Sequence, residues 1–260
     1  MENPLLAKIR LPGITYRMPS QGLFYHSGEL DTSVKNGEVE VFPLTTLDEF
    51  TLSMPDKLMS GKAIEEVFAR CIPQVKKPLD LLAKDVDYLM VALRQVSFGD
   101  DIEVLYKHTC EKAKERKYDI NVQEIIRNSK EIDPTIIGEK FSLELPNGQK
   151  ITMKPMTYGD IVKILHDQAM QKEDEQTDLQ LMNITSHTFA SVIDSIDGTS
   201  DRAFIVEWFE HIPASYKRMI QNKVDGMTDW GTDFGVKRVC KDCKEEIEIQ
   251  VSANPVSFFT

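Results

Sequence analysis

The sequence predicts an α+β fold that combines helices with short β-hairpins, in two related halves that each end in a ribbon-like hairpin. Apolar residues recur at three-and-four spacing, which is typical of a helix with one buried face, and short alternating runs flank turn residues, which is typical of hairpins. In addition, two early stretches have later counterparts in the same order. We therefore expect an extended arm at residues 1–34, a first half at 35–133 and a second half at 138–260.

The first half is predicted to open with a strand and a helix behind the arm. The arm has Pro and Gly at turn spacing and no helical period, so it should lie extended over another surface. Glu38 to Leu44 alternates like a strand. Thr46 and the acid three residues later, Glu49, predict a capping box at the start of a helix.

Two longer helices and a hairpin should complete this half. The first helix follows Gly61 and ends before Pro73, with an apolar face made of Ile64, Val67, Phe68 and Cys71. The second spans residues 79–96 and is capped by Gly99. The alternating run at 118–122 then predicts the second strand of a hairpin.

The second half should begin after the polar stretch 128–138, where Asp133-Pro134 signals a turn. Residues 141–145 and 151–153 flank an Asn147-Gly148 pair, which is typical of a hairpin with a two-residue turn. Apolar spacing then predicts three helices, at residues 179–193, 201–211 and 213–224.

The C-terminal hairpin carries the most specific motif in the chain. Its strands, Gly235 to Val239 and Glu246 to Val251, flank a turn with the pattern Cys240-x-x-Cys243. Such a turn places two thiolates on one side of a tight loop, where they can supply half of a tetrahedral zinc site.

An earlier stretch resembles this motif. Residues 107–115 match 237–245 at Lys, Cys, Lys and Glu, with Ala113 in place of the second cysteine. Likewise, residues 42–49 and 154–161 share a Pro, an apolar residue, a Thr and a following acid. These two correspondences indicate an internal duplication whose first hairpin has lost its metal-binding geometry.

The sequence allows three possibilities for metal binding by the Cys240-x-x-Cys243 turn. Cys110 and His108 could complete the site of Cys240 and Cys243 if the two hairpins meet in space, which would provide three sulfurs and one imidazole. Alternatively, two chains could share the site, or the hairpin could fold without metal. The cofactor is therefore either none or one structural zinc ion.

Composition and charge exclude several classes of function. The net charge of −11 over 260 residues disfavours nucleic-acid binding, because such binding depends on neutralising phosphates with Lys and Arg. No apolar run is long enough for a membrane span and no signal peptide is evident, so we expect no membrane contact and a cytoplasmic location. The four cysteines should then be reduced, and Cys71 should be a small buried apolar residue.

The motifs of common enzymes are also missing from the sequence. The five histidines lie in unrelated contexts, and no serine sits in a Gly-x-Ser-x-Gly elbow. Neither of the common glycine-rich nucleotide-binding loops occurs. The chain is therefore expected to have no enzymatic activity and no catalytic residues.

Both ends of the chain carry apolar groups suited to binding another protein. The arm contains Leu23, Phe24 and Tyr25, and the C-terminus contains Phe258 and Phe259. Buried against a partner, such aromatic residues would provide much of the binding energy. The alternative is that both ends pack against their own chain.

Four motifs in order resemble the baseplate hub and hub-assembly proteins of contractile-tailed bacteriophages. They are residues 19–25, 93–99 and 153–160, together with the terminal Cys-x-x-Cys followed by Phe258-Phe259. The resemblance implies a non-enzymatic late protein of viral tail assembly. Where the family carries a Cys-x-x-Cys at the first hairpin, this chain has Cys110 and Ala113, so a paired zinc ribbon is not expected.

The resemblance implies two functions. The first is an assembly factor, or chaperone, for the baseplate hub, acting in the host cytoplasm by binding other hub or tail proteins. The alternative is a stoichiometric hub subunit that stays in the virion. Self-association is compatible with either function.

Overall fold

The computed structural model describes residues 11–26, 28–110, 114–169, 178–252 and 258–259. It confirms the predicted α+β class: helices are joined with four small antiparallel sheets, three of which are two-stranded and one three-stranded. Ala113 and the first ten residues of the predicted arm lie outside the described residues.

The strands and α-helices described up to residue 128 come as two strands, four helices, two strands and one helix. In chain order they are β1 (Ile14–Arg17), β2 (Glu38–Val41), α1 (Thr46–Leu52), α2 (Pro55–Met59), α3 (Lys62–Cys71), α4 (Ala83–Phe98), β3 (Asp101–Tyr106), β4 (Arg116–Asn121) and α5 (Val122–Asn128). Strand β1 lies within the predicted arm and pairs with β2, from Ile14 opposite Val41 to Arg17 opposite Glu38.

The remaining elements build the three-stranded sheet, its helices and the last hairpin. They are α6 (Ile137–Lys140), β5 (Ser142–Glu144), β6 (Lys150–Met153), α7 (Tyr158–Ala169), α8 (Asp178–Val192), β7 (Ile193–Ile196), α9 (Arg202–His211), α10 (Ala214–Gly226), β8 (Gly235–Val239) and β9 (Glu246–Gln250). Strand β7 was not predicted, because its four residues follow α8 without a turn signal.

The buried apolar residues form two clusters. The first joins β1, β2, α3, α4 and the β3–β4 hairpin with the last hairpin, which contributes Val236, Ile247 and Ile249. The second surrounds the β5–β6–β7 sheet and includes Ile205, Phe209 and Ile220 of α9 and α10. The last hairpin therefore packs with the early elements, and the division of the chain into two related halves stays a prediction.

The capping box of α1 lies one residue earlier than predicted. The Thr45 side chain and the carboxylate of Asp48 form the reciprocal bonds, whereas the sequence indicated Thr46 and Glu49. Asp48 is fully buried and also accepts a hydrogen bond from Arg70 Nε, so its carboxylate joins α1 to α3. Thr157 and Asp160 make the same pair of bonds at the start of α7.

The predicted two-residue turn of the β5–β6 hairpin is also corrected. The Leu145 N–H donates to Gln149 O, so Pro146, Asn147 and Gly148 form a three-residue connection. Gly148 has a φ of 84°, a left-handed conformation that glycine adopts without strain. The connection is one residue longer than predicted. Its first residue is the proline, which has no backbone N–H to donate to the neighbouring strand.

A buried network ties the arm to the start of α4. Asp85 is fully buried and accepts hydrogen bonds from Ser20 N, the Ser20 hydroxyl and the Tyr25 hydroxyl. The Tyr25 hydroxyl in turn accepts from Leu82 N at 3.0 Å. Burial raises the pKa of Asp85, against the opposing effect of these hydrogen bonds.

The aromatic residues predicted to bind a partner lie largely within this chain's own packing. Phe258 and Phe259 are buried in the first cluster, and Arg94 Nε donates to Phe258 O. Phe24 stacks on Trp230 at a centroid separation of 6.4 Å, whereas Leu23 is 37% exposed. Use of these residues in partner binding stays a prediction.

Candidate metal centre

The β8–β9 turn forms the knuckle that the Cys-x-x-Cys motif predicts. Cys240 N donates to Glu245 O at 2.8 Å, and Lys244 N donates back to Cys240 O at 3.0 Å. Lys244 adopts a φ of 69°, which reverses the chain tightly enough to leave both cysteine side chains on one side.

The first hairpin meets this knuckle in space. Arg116 of β4 forms an ion pair with Asp242, with Nη2 to Oδ1 at 2.7 Å. Lys241 N donates to the Tyr118 hydroxyl at 3.1 Å, and the Lys241 ammonium lies over the same ring at 5.0 Å. The two hairpins therefore contact each other near their tips.

This contact brings four possible metal ligands together within one chain. The donor atoms of His108, Cys110, Cys240 and Cys243 all lie within 4.8 Å of one another. Cys243 Sγ lies 3.5 Å from His108 Nδ1. Cys240 is buried, while the other three are partly exposed. The sequence left this set as one of three possibilities, which required the two hairpins to meet, and in the structure they do.

The two cysteines of the knuckle differ in acidity. The backbone N–H groups of Cys243 and Asp242 point at the Cys240 sulfur and lower its pKa to about 6. At Cys243 the Glu245 N–H acts in the same direction, but partial burial and the neighbouring Cys240 and Cys110 thiols outweigh it and raise the pKa to about 11. One thiolate is therefore available near neutral pH before a metal binds.

The donor set fits a tetrahedral zinc ion. With Zn–S bonds of about 2.3 Å and a Zn–N bond of about 2.0 Å, tetrahedral ligand atoms lie roughly 3.5–3.8 Å apart. The observed cluster is close to that size, and three sulfurs with one imidazole are a common structural set. Four protein ligands would leave no open position for a water or substrate, so an ion bound here would act as a cross-link.

The surroundings of Cys243 do not favour a nucleophile at that position. Glu245 Oε2 lies 3.6 Å from Cys243 Sγ. The raised pKa of Cys243 also opposes formation of a nucleophilic thiolate. Cys71 is buried as predicted, and burial raises its pKa to about 12.

The described helices include none that combines the length and apolar character required to cross a bilayer. Together, the fold and the site define a small α+β protein in which two hairpins bring four potential metal ligands together.

Comparison with known proteins identifies the family to which the chain belongs. The family described as T4 bacteriophage base plate protein matches residues 30–260. The chain belongs to this family and is a bacteriophage baseplate protein, as the motifs indicated. No curated protein and no solved structure matches it.

Proposed function

We propose that this baseplate protein is a non-enzymatic assembly factor for the tail hub, acting by binding other hub or tail proteins. The observation that carries the proposal is the exposed apolar side of helix α1. This helix buries Asp48, Thr51 and Leu52, whereas Leu47 and Phe50 are each 61% exposed. Met54, just beyond the helix, is exposed as well.

An exposed apolar face of this kind is suited to protein binding. Leu47 and Phe50 lie three residues apart on α1 and so share one side of the helix, and Met54 is exposed just beyond its end. Apolar side chains that are solvated on one chain gain free energy when a second chain covers them. Because the chain belongs to a baseplate family, the occupant proposed here is another hub or tail protein.

The acidic composition supports protein partners over nucleic acid. The charge of −11 repels the phosphate backbone, and an assembly factor that meets its partners before DNA is involved has no need of a basic surface. We place the protein in the host cytoplasm during assembly.

A stoichiometric subunit of the finished hub is the second candidate. The family description favours it, because that description names the base plate itself. In this case the protein would remain in the virion, and the apolar face of α1 would be a permanent interface.

Quantitative mass spectrometry separates the two candidates. Purified particles and the lysate of infected cells are compared for peptides of this chain, with a known baseplate subunit as the reference for stoichiometry. An assembly factor is abundant in the lysate and depleted from particles. Peptides at fixed stoichiometry in particles would instead establish the structural subunit and overturn the assembly-factor proposal.

The cofactor proposed for this function is one structural zinc ion, held by His108, Cys110, Cys240 and Cys243. The closed donor set supports it, since four protein ligands suit a structural role. Metal analysis of the purified chain tests it, with one equivalent expected and none if the hairpins fold without metal.

A further inference from the structure

Exposed large apolar side chains are concentrated on helices α1 and α2. The described residues include twelve such side chains, and four of them lie within residues 47–59: Leu47, Phe50, Met54 and Met59, each 44–61% exposed. The two helices contact each other, and both pack on α3. We call the exposed side of this pair of helices the α1–α2 surface. Apolar side chains gathered in one small part of a protein surface are typical of a site that another molecule covers.

Acidic side chains lie beside these apolar residues in the chain. Glu49 comes directly before Phe50, and Asp56 comes two residues after Met54. Both acids are exposed, and within the part of the chain that the structure describes neither carboxylate accepts a hydrogen bond or forms an ion pair. Their charges are therefore available to a partner.

The nearby basic side chains already have acidic partners. Lys57 Nζ lies 2.7 Å from Glu66 Oε2, and Arg70 forms an ion pair with the buried carboxylate of Asp48. Residues 45–71 contain five acidic and three basic residues, so an excess of negative charge remains after pairing. The α1–α2 surface therefore combines exposed apolar side chains with uncompensated carboxylates.

This combination distinguishes between the possible occupants of the surface. A second copy packed face to face would bring Glu49 and Asp56 against the same two carboxylates, and like charges across an interface are unfavourable. Nucleic acid is repelled in the same way, because its backbone is negative. A protein segment that carries Lys or Arg beside its apolar residues would complement both features of the surface.

We propose that the α1–α2 surface binds a basic amphipathic segment of another hub or tail protein, one whose apolar side chains are flanked by Lys or Arg. This inference rests on the proposed function, which supplies the class of partner, and adds the chemistry by which that partner is recognised. Apolar contacts provide most of the affinity. The carboxylates raise the rate of association and disfavour acidic segments.

Photo-cross-linking from position 50 tests the proposal in infected cells. The full chain carries benzoylphenylalanine in place of Phe50, and mass spectrometry identifies the segment that is cross-linked on irradiation. We expect a segment of a hub or tail protein that contains apolar residues and has a net positive charge. The yield should be at least about tenfold above that from the same group at position 204, since Phe204 is similarly exposed but lies on α9.

Charge reversal tests the two carboxylates directly. A synthetic peptide of the cross-linked segment is the probe, and fluorescence anisotropy measures its affinity for the full chain. Glu49→Lys combined with Asp56→Lys should weaken binding at least about tenfold at low salt, and the difference should shrink at high salt because salt screens exposed charges. Glu144→Lys combined with Glu210→Lys changes the net charge equally at exposed positions elsewhere, and should change the affinity by less than about twofold.

The outcomes distinguish this inference from the proposed function. Cross-linking to a hub or tail protein through an acidic or uncharged segment would overturn the inference and leave the proposed class of partner in place. Equal weakening by the two double variants would do the same, because the carboxylates would then act only through the net charge of the chain. Cross-linking to a second copy, or equal yields from positions 50 and 204, would overturn both.

Discussion

The Nδ1 atom of His108 lies 3.5 Å from the Sγ atom of Cys243, although 135 positions separate the two residues in the sequence. The contact exists because the last hairpin packs into the apolar cluster built by the early elements. A Cys-x-x-Cys turn that offers half a tetrahedral site by itself thus lies beside two further potential ligands, from a hairpin with Ala113 at its own second cysteine position.

Loss of one thiol should weaken metal binding strongly. Serine in place of Cys243 keeps the size of the side chain but does not ionise near neutral pH, so it cannot supply the thiolate. We expect the zinc affinity to fall by more than about 100-fold, since even residues outside the ligand shell change it by 10–100-fold. Competition with a chromogenic chelator measures the affinity.

Cobalt(II) substitution provides an independent measurement. Thiolate-to-cobalt absorption should weaken in Cys243→Ser and Cys110→Ser and stay the same in Cys71→Ala, whose sulfur is buried in α3. Equal spectra for all three variants would show that the cobalt binds elsewhere.

Metal affinity should depend on pH in two regimes. A thiol must lose its proton to bind zinc. For each ligand thiol that is still protonated in the metal-free chain, the zinc affinity therefore rises about tenfold for each unit of pH increase. Cys243, with a pKa of about 11, contributes this gain throughout the neutral range. Cys240, with a pKa of about 6, adds a second such gain only below that pH. The plot of log affinity against pH should therefore be steeper below pH 6 than above it.

The two capping boxes should differ in their contribution to stability. Asp160 is partly exposed, so Asp160→Ala should cost about 1 kcal/mol, the usual value for a lost cap. Asp48→Ala should cost about 2–4 kcal/mol, because it also leaves a buried site without its carboxylate and removes the partner of Arg70. Urea denaturation of the two variants gives the comparison, and equal costs would contradict it.

The stability contributed by Asp48 should disappear in acid. Burial opposes ionisation of this carboxyl, but hydrogen bonds from Thr45 and Arg70 outweigh burial and lower its pKa below 3.8. The contribution is fully present above 3.8 and is lost as the pH falls through the lower pKa of the folded state. As the pH is lowered from 5 to 2, the free energy of unfolding of the Asp48→Ala variant should therefore fall less than that of the unmodified chain.

The exposed face of α1 should be required for partner binding. Phe50→Glu places a charge at the centre of that face and should change the stability of the isolated chain by less than about 0.5 kcal/mol, because the position is solvated. We expect recovery of hub or tail proteins from infected cells to fall at least about tenfold.

Phe204→Glu is the matched control, since Phe204 is similarly exposed but lies on α9. Unchanged recovery with Phe50→Glu, or an equal loss with Phe204→Glu, would show that α1 is not the specific interface.

Local patterns predicted much of this structure. Helix α3 and its buried face of Ile64, Val67 and Phe68 follow directly from the spacing of apolar residues. The glycine at position 99 predicted the end of α4, and in the structure this residue has a φ of 81°, which favours glycine. The last hairpin and its knuckle are also as predicted.

Other features depend on neighbours that sequence patterns do not reveal. Strand β7 exists because its residues pair with β6, and nothing in Ile193 to Ile196 by itself separates a strand from the end of a helix. Asp48 caps α1 in place of Glu49 because Arg70 of α3 lies beside it. The exposed position of Phe50 likewise depends on which side of α1 faces the cluster.

The sequence by itself determined the class of fold and the knuckle, because these depend on the spacing of residues close together in the chain, and the resemblance of four motifs in order indicated the baseplate family. Only the tertiary structure decided that His108 and Cys110 join Cys240 and Cys243, and that Phe258 and Phe259 pack inside the chain. Those contacts are made across long separations, and they follow from which apolar surfaces cover one another when the whole chain folds.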